Sequence, residues 1–182
     1  MEKNKEKLKI DILVSGLRLS KKHSALISSL VRDCFSILIS KYRSGYEFKK
    51  RVYNLIKSSE QSINIFITTP GGIKRINKKF RNLDKATNVL TFSYVTDGQD
   101  LIQLNDGRIL IGEIILNWEE VLLDSGKDKD ELFESLLNLI SHSMLHLFGY
   151  SHETKECYRL MEEKKIELMK NIKPQKSQYM EV

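Results

Sequence analysis

Three of the four histidines in this chain fall within one short segment, HSMLHLFGYSH. His142 and His146 are four residues apart, so on a helix both side chains project from one face, about one turn apart. Gly149 then allows the chain to reverse and to bring His152 back toward the same point. Imidazole is a ligand for zinc and other transition metals. The spacing therefore predicts a metal site.

The number of ligands favours a catalytic ion over a structural one. Structural zinc sites are usually closed by four ligands that include thiolates, and neither Cys34 nor Cys157 lies at a ligand spacing from the histidines. Three neutral imidazoles leave one coordination position open and leave the charge of the ion uncompensated. Such an ion activates water and attracts anionic oxygens. Zinc suits imidazole best, and nickel, copper and iron are the alternatives.

The same offsets occur in the H-E-x-x-H-x-x-G-x-x-H pattern of metzincin peptidases. In that pattern the residue after the first histidine is the glutamate that acts as general base, whereas this chain has Ser143 there. A serine hydroxyl does not take up a proton near neutral pH, so a peptidase would need its base from elsewhere. Ser143 argues against a metallopeptidase, which stays open as an alternative.

The hydrophobic pattern predicts strands with helices around them. Strands are predicted at residues 7–14, 62–69, 88–94 and 108–117, and helices from residue 20 and over 73–82, 128–149 and 154–172. Residues 118–124 are expected to form a short helix or a turn. Pro70-Gly71-Gly72 is predicted to be a turn before the basic helix. We predict an α+β fold, a single domain over 1–182, with a mixed, mostly parallel, four-stranded sheet, helices packed around it, and the metal-binding helix in the core. An extra helical segment is expected around residues 41–58.

Composition and charge restrict the class of protein. The 182 residues are 41% hydrophobic and 30% charged, as in ordinary globular domains. No apolar run approaches the length of a membrane span, and no signal peptide is apparent. The two cysteines are distant in the chain and form no disulfide framework. We therefore expect a cytoplasmic protein. Residues 1–60 carry 14 Lys and Arg against 6 Asp and Glu, whereas residues 101–182 carry 10 against 15. The basic N-terminal part suggests a polyanion such as nucleic acid, or only a solvated lysine-rich surface.

The histidine segment resembles the H-G-x-L-H-L-x-G-Y-D-H signature of the YbeY family of bacterial endoribonucleases. Upstream, INKKFRNLDKATNVLTFSY is similar to the family's N-x-x-[FY]-R-x-x-D-x-P-T-[DN]-V-L-S-F segment, and LIGEIILN to its L-G-D-I-x-I strand. The three motifs occur in the family's order over much of residues 62–152. Four positions depart from the family pattern: Ser143 replaces a glycine, Ser151 an aspartate, Ala86 a proline and Glu113 an aspartate.

The resemblance implies a function and a set of site residues. It implies a single-strand-specific, zinc-dependent endoribonuclease that matures ribosomal RNA at the 3′ end of 16S rRNA and takes part in ribosome quality control. His142, His146 and His152 would bind one zinc ion per chain, and Arg81 would be the active-site arginine. The implied partners are ribosomal RNA and the small ribosomal subunit, with a small-subunit ribosomal protein and an assembly GTPase. We expect a monomer.

Other residues have candidate roles at such a site. Glu113 is a candidate general base, with a purely structural strand residue as the alternative. Tyr94, Phe92 and Tyr150 are candidates for base stacking, although packing roles are favoured for all three. The basic residues predicted to bind RNA phosphates are Lys74, Arg75, Lys78, Lys79 and Arg81. A surface ion pair with Asp84 is the alternative for Arg81.

Besides a metallopeptidase, a non-catalytic ribosome-assembly factor is the other rival function.

Overall fold

The computed structural model describes residues 8–41, 59–95, 102–126 and 128–180. The strands in this part of the chain are β1 (Leu8–Val14), β2 (Gln61–Thr68), β3 (Val89–Ser93), β4 (Ile102–Gln103) and β5 (Ile109–Asn117). The α-helices are α1 (Lys21–Lys41), α2 (Pro70–Arg81), α3 (Trp118–Asp124), α4 (Lys129–Leu147), α5 (Lys155–Ile172) and α6 (Lys176–Met180). A 3-10 turn, Lys173–Gln175, joins the last two.

The strands form one mixed sheet in the order β1-β2-β5-β3, and β4 also pairs with β5. β1 and β2 are parallel, as are β2 and β5, whereas β3 and β4 run antiparallel to β5. The predicted α+β class and the mixed, mostly parallel sheet are confirmed. All four predicted strands are present. The two-residue strand β4 adds a fifth in a segment that the sequence marks only as turn-rich.

Helices cover both faces of the sheet. On one face α1, α4 and α5 enclose the larger core, in which Phe133, Leu136, Ile140 and Met144 of α4 are fully buried. On the other face Ile73 of α2 packs with residues of β3 and β5 in a smaller cluster. The prediction that the histidine helix lies in the core is confirmed. Its apolar stripe anchors it, and its opposite side is free to carry polar groups.

The predicted turn at Pro70-Gly71-Gly72 is wrong, because α2 already begins at Pro70. Thr69 caps the helix, its Oγ1 accepting a hydrogen bond from the Gly72 N–H at 3.3 Å. Proline is favoured at the first helical position, where its missing N–H would have no intrahelical partner. Asn82 ends the helix in a left-handed conformation with φ 57°. The early start adds a full turn between β2 and the basic residues.

The last turn of α4 lies directly against the sheet at Gly112. A Cβ atom added there would be 2.3 Å from the Phe92 carbonyl oxygen and 2.5 Å from Leu147 Cδ2. The Ser93 hydroxyl donates a hydrogen bond to the Leu147 carbonyl oxygen at 3.2 Å. The absence of a side chain at residue 112 therefore permits the close approach of α4 to β3 and β5.

Two expectations concern parts of the chain outside these elements. The extra helical segment around 41–58 lies outside the described residues, apart from Lys41 at the end of α1. The single-domain span of 1–182 accordingly stays a prediction beyond the described ranges. Among the described helices, none combines the length and the apolar character that a membrane crossing requires.

Replacing Gly112 with alanine should destabilise the fold, because the new methyl group meets a backbone oxygen that cannot move independently. Overpacking of this kind typically costs about 1–3 kcal/mol in the free energy of unfolding, measured by urea denaturation. Gly71→Ala is the matched control, since the nearest atom to its added Cβ is Arg75 Nη1 at 3.8 Å. Equal stability of the two variants would contradict this account of the contact between α4 and the sheet.

Candidate metal centre

The helix α4 places His142 and His146 side by side on its less buried face. Asp128 starts the helix by accepting hydrogen bonds from the Asp130 and Glu131 N–H groups at 2.8 and 3.0 Å. His142 and His146 lie one turn apart near the C-terminal end of the helix. Their imidazole rings are perpendicular, with centroids 4.6 Å apart. Their Nε2 atoms are only 3.1 Å apart. Both rings therefore direct the same nitrogen at the same point.

The chain reversal after α4 fixes the orientation of His146. Gly149 has φ 82°, a conformation that glycine adopts without steric cost. This turn returns the Tyr150 carbonyl oxygen to within 2.9 Å of His146 Nδ1. An Nδ1–H that donates to this carbonyl leaves the Nε2 lone pair free for a metal ion. The backbone therefore holds the ring of His146 in this orientation.

His152 completes the cluster from the loop that follows. Its ring lies 4.8 Å from that of His146 and 5.7 Å from that of His142, centroid to centroid. One ligand atom from each of the three histidines can be chosen so that all lie within 4.8 Å of one another. Imidazole nitrogens on a tetrahedral zinc ion lie about 3.3 Å apart, given Zn–N bonds of about 2.0–2.1 Å. The donor set and its spacing fit one transition-metal ion.

Burial keeps these imidazoles in the form that a metal binds. Desolvation lowers the pKa of His142 to about 4, with a smaller contribution from the positive charge that His146 would carry. The pKa of His146 is also lowered, again mainly by desolvation. Both side chains are neutral near pH 7, so a metal ion does not have to displace protons from them.

Ser143 follows His142 on α4 but does not belong to the histidine cluster. The residue is completely buried, and its hydroxyl has no hydrogen-bond partner in the described part of the chain. It therefore faces the core rather than a substrate. The position that holds a glutamate base in metzincins supplies no acid–base group to this site.

Arg81 is the last residue of α2 and reaches toward the edge of the sheet beside the histidines. Its Nη2 lies 3.5 Å from the Thr91 carbonyl oxygen, and its guanidinium carbon lies 5.9 Å from the centre of the Phe92 ring. Its positive charge contributes to the lowered pKa of His146. Among the described residues, the salt bridges of Asp84 are with Lys74 and Lys78. The alternative of an ion pair between Arg81 and Asp84 is not observed there.

Glu113 lies in the middle of β5 and faces away from α4. Consecutive strand residues face opposite sides of a sheet, and Gly112 faces α4, so Glu113 lies on the side of α2. Its carboxylate accepts hydrogen bonds from the Tyr94 hydroxyl at 3.0 Å and from Asn64 Nδ2 at 3.3 Å. The structure thus brings Glu113 to Tyr94 and Asn64, not to the imidazole cluster.

The predicted phosphate-binding residues lie on one exposed helix. Lys74, Arg75, Lys78 and Lys79 are all exposed on α2. Lys74 and Lys78 share the carboxylate of Asp84, at 3.4 and 3.2 Å. Such exposed pairs are weak and are readily exchanged for a phosphate. The helix leads to Arg81 and so gives a basic approach to the cluster.

The candidate stacking residues have packing roles in the structure. Phe92 is half-buried and contacts the Phe80 ring edge to face, 5.4 Å between centroids. The Tyr94 hydroxyl is bound to Glu113, and burial raises its pKa to about 12. Sequence reasoning did not select Phe80, which is 61% exposed, with Lys79 Nζ 5.1 Å from its ring centre. The basic residues on both sides of Phe80 in NKKFR are the signal that would have identified it as a candidate for base stacking.

A family model described as endoribonuclease YbeY matches residues 21–173. The chain belongs to the YbeY endoribonuclease family. An endoribonuclease YbeY of Lachnospira eligens is 32% identical over 129 residues, covering 62% of this chain and 76% of that protein. One from Borreliella afzelii is 31% identical over 111 residues, covering 61% and 72%. A Thermotoga maritima protein with a known solution structure has a TM-score of 0.49 and 23% identity, covering 93% of this chain and 95% of that one.

Membership of the YbeY family confirms the resemblance drawn from the three motifs and places the chain among metal-dependent endoribonucleases. The convergent histidine cluster agrees with this class, because the described residues bring together three ligands for one metal ion. The family match favours RNA over peptide as the class of substrate.

Replacing His146 with alanine should lower the affinity for zinc at least about 100-fold, because it removes one of three ligands and the one held by the Tyr150 carbonyl. Isothermal titration of the metal-free protein with zinc measures this change, and the wild type should bind one ion. His23→Gln is the control, since the fourth histidine packs against Trp118, 5.0 Å between centroids. Unchanged zinc affinity in His146→Ala would contradict the assignment.

Proposed function

We propose that this protein is a zinc-dependent, single-strand-specific endoribonuclease that matures the 3′ end of 16S ribosomal RNA and acts in ribosome quality control. The observation that supports this most directly is the convergence of His142, His146 and His152 beside Arg81 in a chain of the YbeY family. We propose one zinc ion per chain, bound by the three imidazoles. Bound there, zinc would act as a Lewis acid toward water and phosphate oxygen.

The protein's own residues would position the RNA backbone. Arg81 is suited to hold a non-bridging phosphate oxygen, because a guanidinium donates two parallel hydrogen bonds and stays charged. Its stacking beside Phe92 and its contact with the Thr91 carbonyl hold the guanidinium at the edge of β3. Negative charge that develops on the phosphate would be stabilised there.

The base that activates the nucleophile is a separate question. Glu113 is the candidate from the sequence, but its carboxylate lies on the side of β5 away from α4 and accepts hydrogen bonds from Tyr94 and Asn64, so we propose that it positions Tyr94 instead of acting as this base. The 2′-hydroxyl of the RNA is the alternative nucleophile to water. Cleavage of an RNA with a single 2′-deoxynucleotide before the cut separates these two routes, because only attack by the 2′-hydroxyl needs that group.

The cellular setting follows from the substrate. We propose a monomer in the cytoplasm that acts on the small ribosomal subunit, with a small-subunit ribosomal protein and an assembly GTPase as partners. The exposed basic helix α2, with Lys74, Arg75, Lys78 and Lys79, supports an RNA substrate. Single-stranded RNA is favoured because its backbone can enter a concave site.

Parallel assays of the zinc-loaded wild type on unstructured RNA, duplex RNA and casein test this proposal. We expect cleavage of unstructured RNA alone, and no cleavage by His146→Ala purified in the same way. Cleavage of casein but not of RNA would establish a metallopeptidase. Normal 16S rRNA ends in cells that carry only His142→Ala, together with loss of mature ends in a charge variant of α2, would establish a non-catalytic assembly factor.

Replacing Arg81 with alanine should lower kcat for RNA cleavage by about 100- to 1000-fold, the usual cost of losing one donor to developing negative charge. The kcat of Arg81→Lys should lie between those of the wild type and Arg81→Ala, since lysine keeps the charge and loses the paired hydrogen bonds. Arg159→Ala is the control, because Arg159 is highly exposed on α5 and pairs only with Glu163 at 3.7 Å among the described residues. Equal kcat values for Arg81→Ala and Arg159→Ala would exclude the role.

Neutralising Arg75 and Lys79 together should make RNA binding less sensitive to salt. Each phosphate contact with single-stranded nucleic acid contributes about 0.7 to the slope of log K against log salt. Fluorescence anisotropy with labelled RNA at several KCl concentrations should therefore show a slope shallower by about 1.4 in the double glutamine variant. Lys129→Gln, at the exposed start of α4, is the control. A slope unchanged from the wild type would show that α2 does not contact the RNA.

A further inference from the structure

A pocket of about 500 Å³ lies beside Arg81, which is one of its lining residues. It is enclosed by the C-terminal half of α2, the loop before β3 and the junction of β5 with α3. Leu83 and Leu90 give it apolar walls, and Lys85 adds a second positive charge. This volume is in the range of pockets that hold small organic ligands, about 300–1,000 Å³.

Asn117 lines this pocket, and its side chain has no hydrogen-bond partner among the described residues. The residue is 1% exposed, and neither its Oδ1 nor its Nδ2 has a partner within the described ranges. It occupies the position before α3, yet its side chain does not cap that helix. Its backbone is fixed, since its N–H donates to the Asn88 carbonyl oxygen at 2.9 Å. Buried amides are nearly always hydrogen-bonded, so this one indicates a missing partner in the pocket.

Asn77 adds a second unpartnered group. It is 5% exposed, and its Nδ2 donates to the Lys85 carbonyl oxygen at 2.8 Å. Its Oδ1 has no partner among the described residues. Asn77 and Asn117 thus supply three side-chain atoms without a partner among the described residues, all buried at or just beneath the pocket wall. Amide donor and acceptor pairs of this kind match the edges of nucleobases.

Beside the positive charges of Arg81 and Lys85, the pocket wall carries one carboxylate that can bind a base. Arg81 lines the pocket and also contacts the Thr91 carbonyl oxygen and the Phe92 ring on β3. The carboxylate of Glu120 belongs to the same wall and would repel a phosphate, whereas it can accept a hydrogen bond from an exocyclic amino group. A phosphate held by Arg81 would thus place its neighbouring nucleoside within reach of the pocket.

We propose that this pocket binds the nucleobase and ribose of the nucleotide next to the phosphate held by Arg81, with Asn117 and Asn77 hydrogen-bonded to the base. This inference rests on the proposed function and extends it, because one bound base would give the enzyme a base preference at one position beside the cut. The apolar surfaces of Leu83 and Leu90 would pack against the base.

The proposal is tested with a series of substrates and with the enzyme variant Asn117→Leu, whose side chain has the same number of heavy atoms and the same branching as asparagine. Abasic nucleotides are placed one at a time along a defined single-stranded RNA. In the wild type, one position next to the cut should raise KM by about tenfold with little change in kcat. In Asn117→Leu, KM for the intact RNA should already be raised, and the same abasic position should have no further effect.

The control variant is Asn171→Leu on the exposed side of α5, which should behave as the wild type at every abasic position. Additive effects of Asn117→Leu and the abasic position would overturn the proposal, because they would show that residue and base act independently.

A second measurement needs neither the variant nor cleavage. In nitrogen-15-labelled wild type, adenosine and cytidine 5′-monophosphates are added at millimolar concentration, with ribose 5-phosphate as the comparison. We expect the side-chain amide signals of Asn117 and Asn77 to shift with at least one nucleotide and not with ribose 5-phosphate. No selective shift would overturn the pocket assignment even if the enzyme cleaves RNA. A selective shift in a protein that cleaves no RNA would leave the pocket standing and remove the proposed function.

Discussion

The contact between the last turn of α4 and the sheet at Gly112 determines the geometry of the whole site. There is no space for a side chain between β5 and Leu147, and Ser93 bonds the end of the helix to β3. His146 precedes Leu147 in the chain, and Arg81 contacts Thr91 and the ring of Phe92, both on β3. The strand β3 is therefore the common support for the histidine cluster and the arginine.

The two sides of α4 have opposite tasks. One side buries a continuous apolar stripe in the core. Because protein cores are close-packed and have low compressibility, this side holds the helix in place. The other side holds two half-buried imidazoles that are neutral near pH 7, since burial lowers their pKa values. A helix that were polar on both sides would not hold its ligands in place. One that were apolar on both sides would offer no ligands.

The charge of the chain is arranged around this site. The exposed basic helix α2 ends at Arg81, whereas the later part of the chain carries more acidic than basic residues. A polyanion would therefore be attracted to the side of the molecule on which α2 lies. Between α2 and α3 the pocket wall is chemically mixed, because it combines Asn77, Asn117 and Glu120 with the cations Arg81 and Lys85. The exposed basic helix α2 and this mixed wall are thus neighbouring but chemically different surfaces.

The sequence by itself determined the features that depend on local spacing. The three histidines, the apolar stripe of α4 and the alternation of β2 and β5 follow from the periods of helix and strand, which act within a few residues. The start of α2 at Pro70 was missed, because Pro-Gly-Gly reads as a turn when the cap at Thr69 is not considered. Only the tertiary structure decided that Arg81 reaches the edge of β3 and that Glu113 faces the other side of the sheet from α4. These relations depend on which strands pair and which face each helix covers, and contacts between distant elements leave no local period in the sequence.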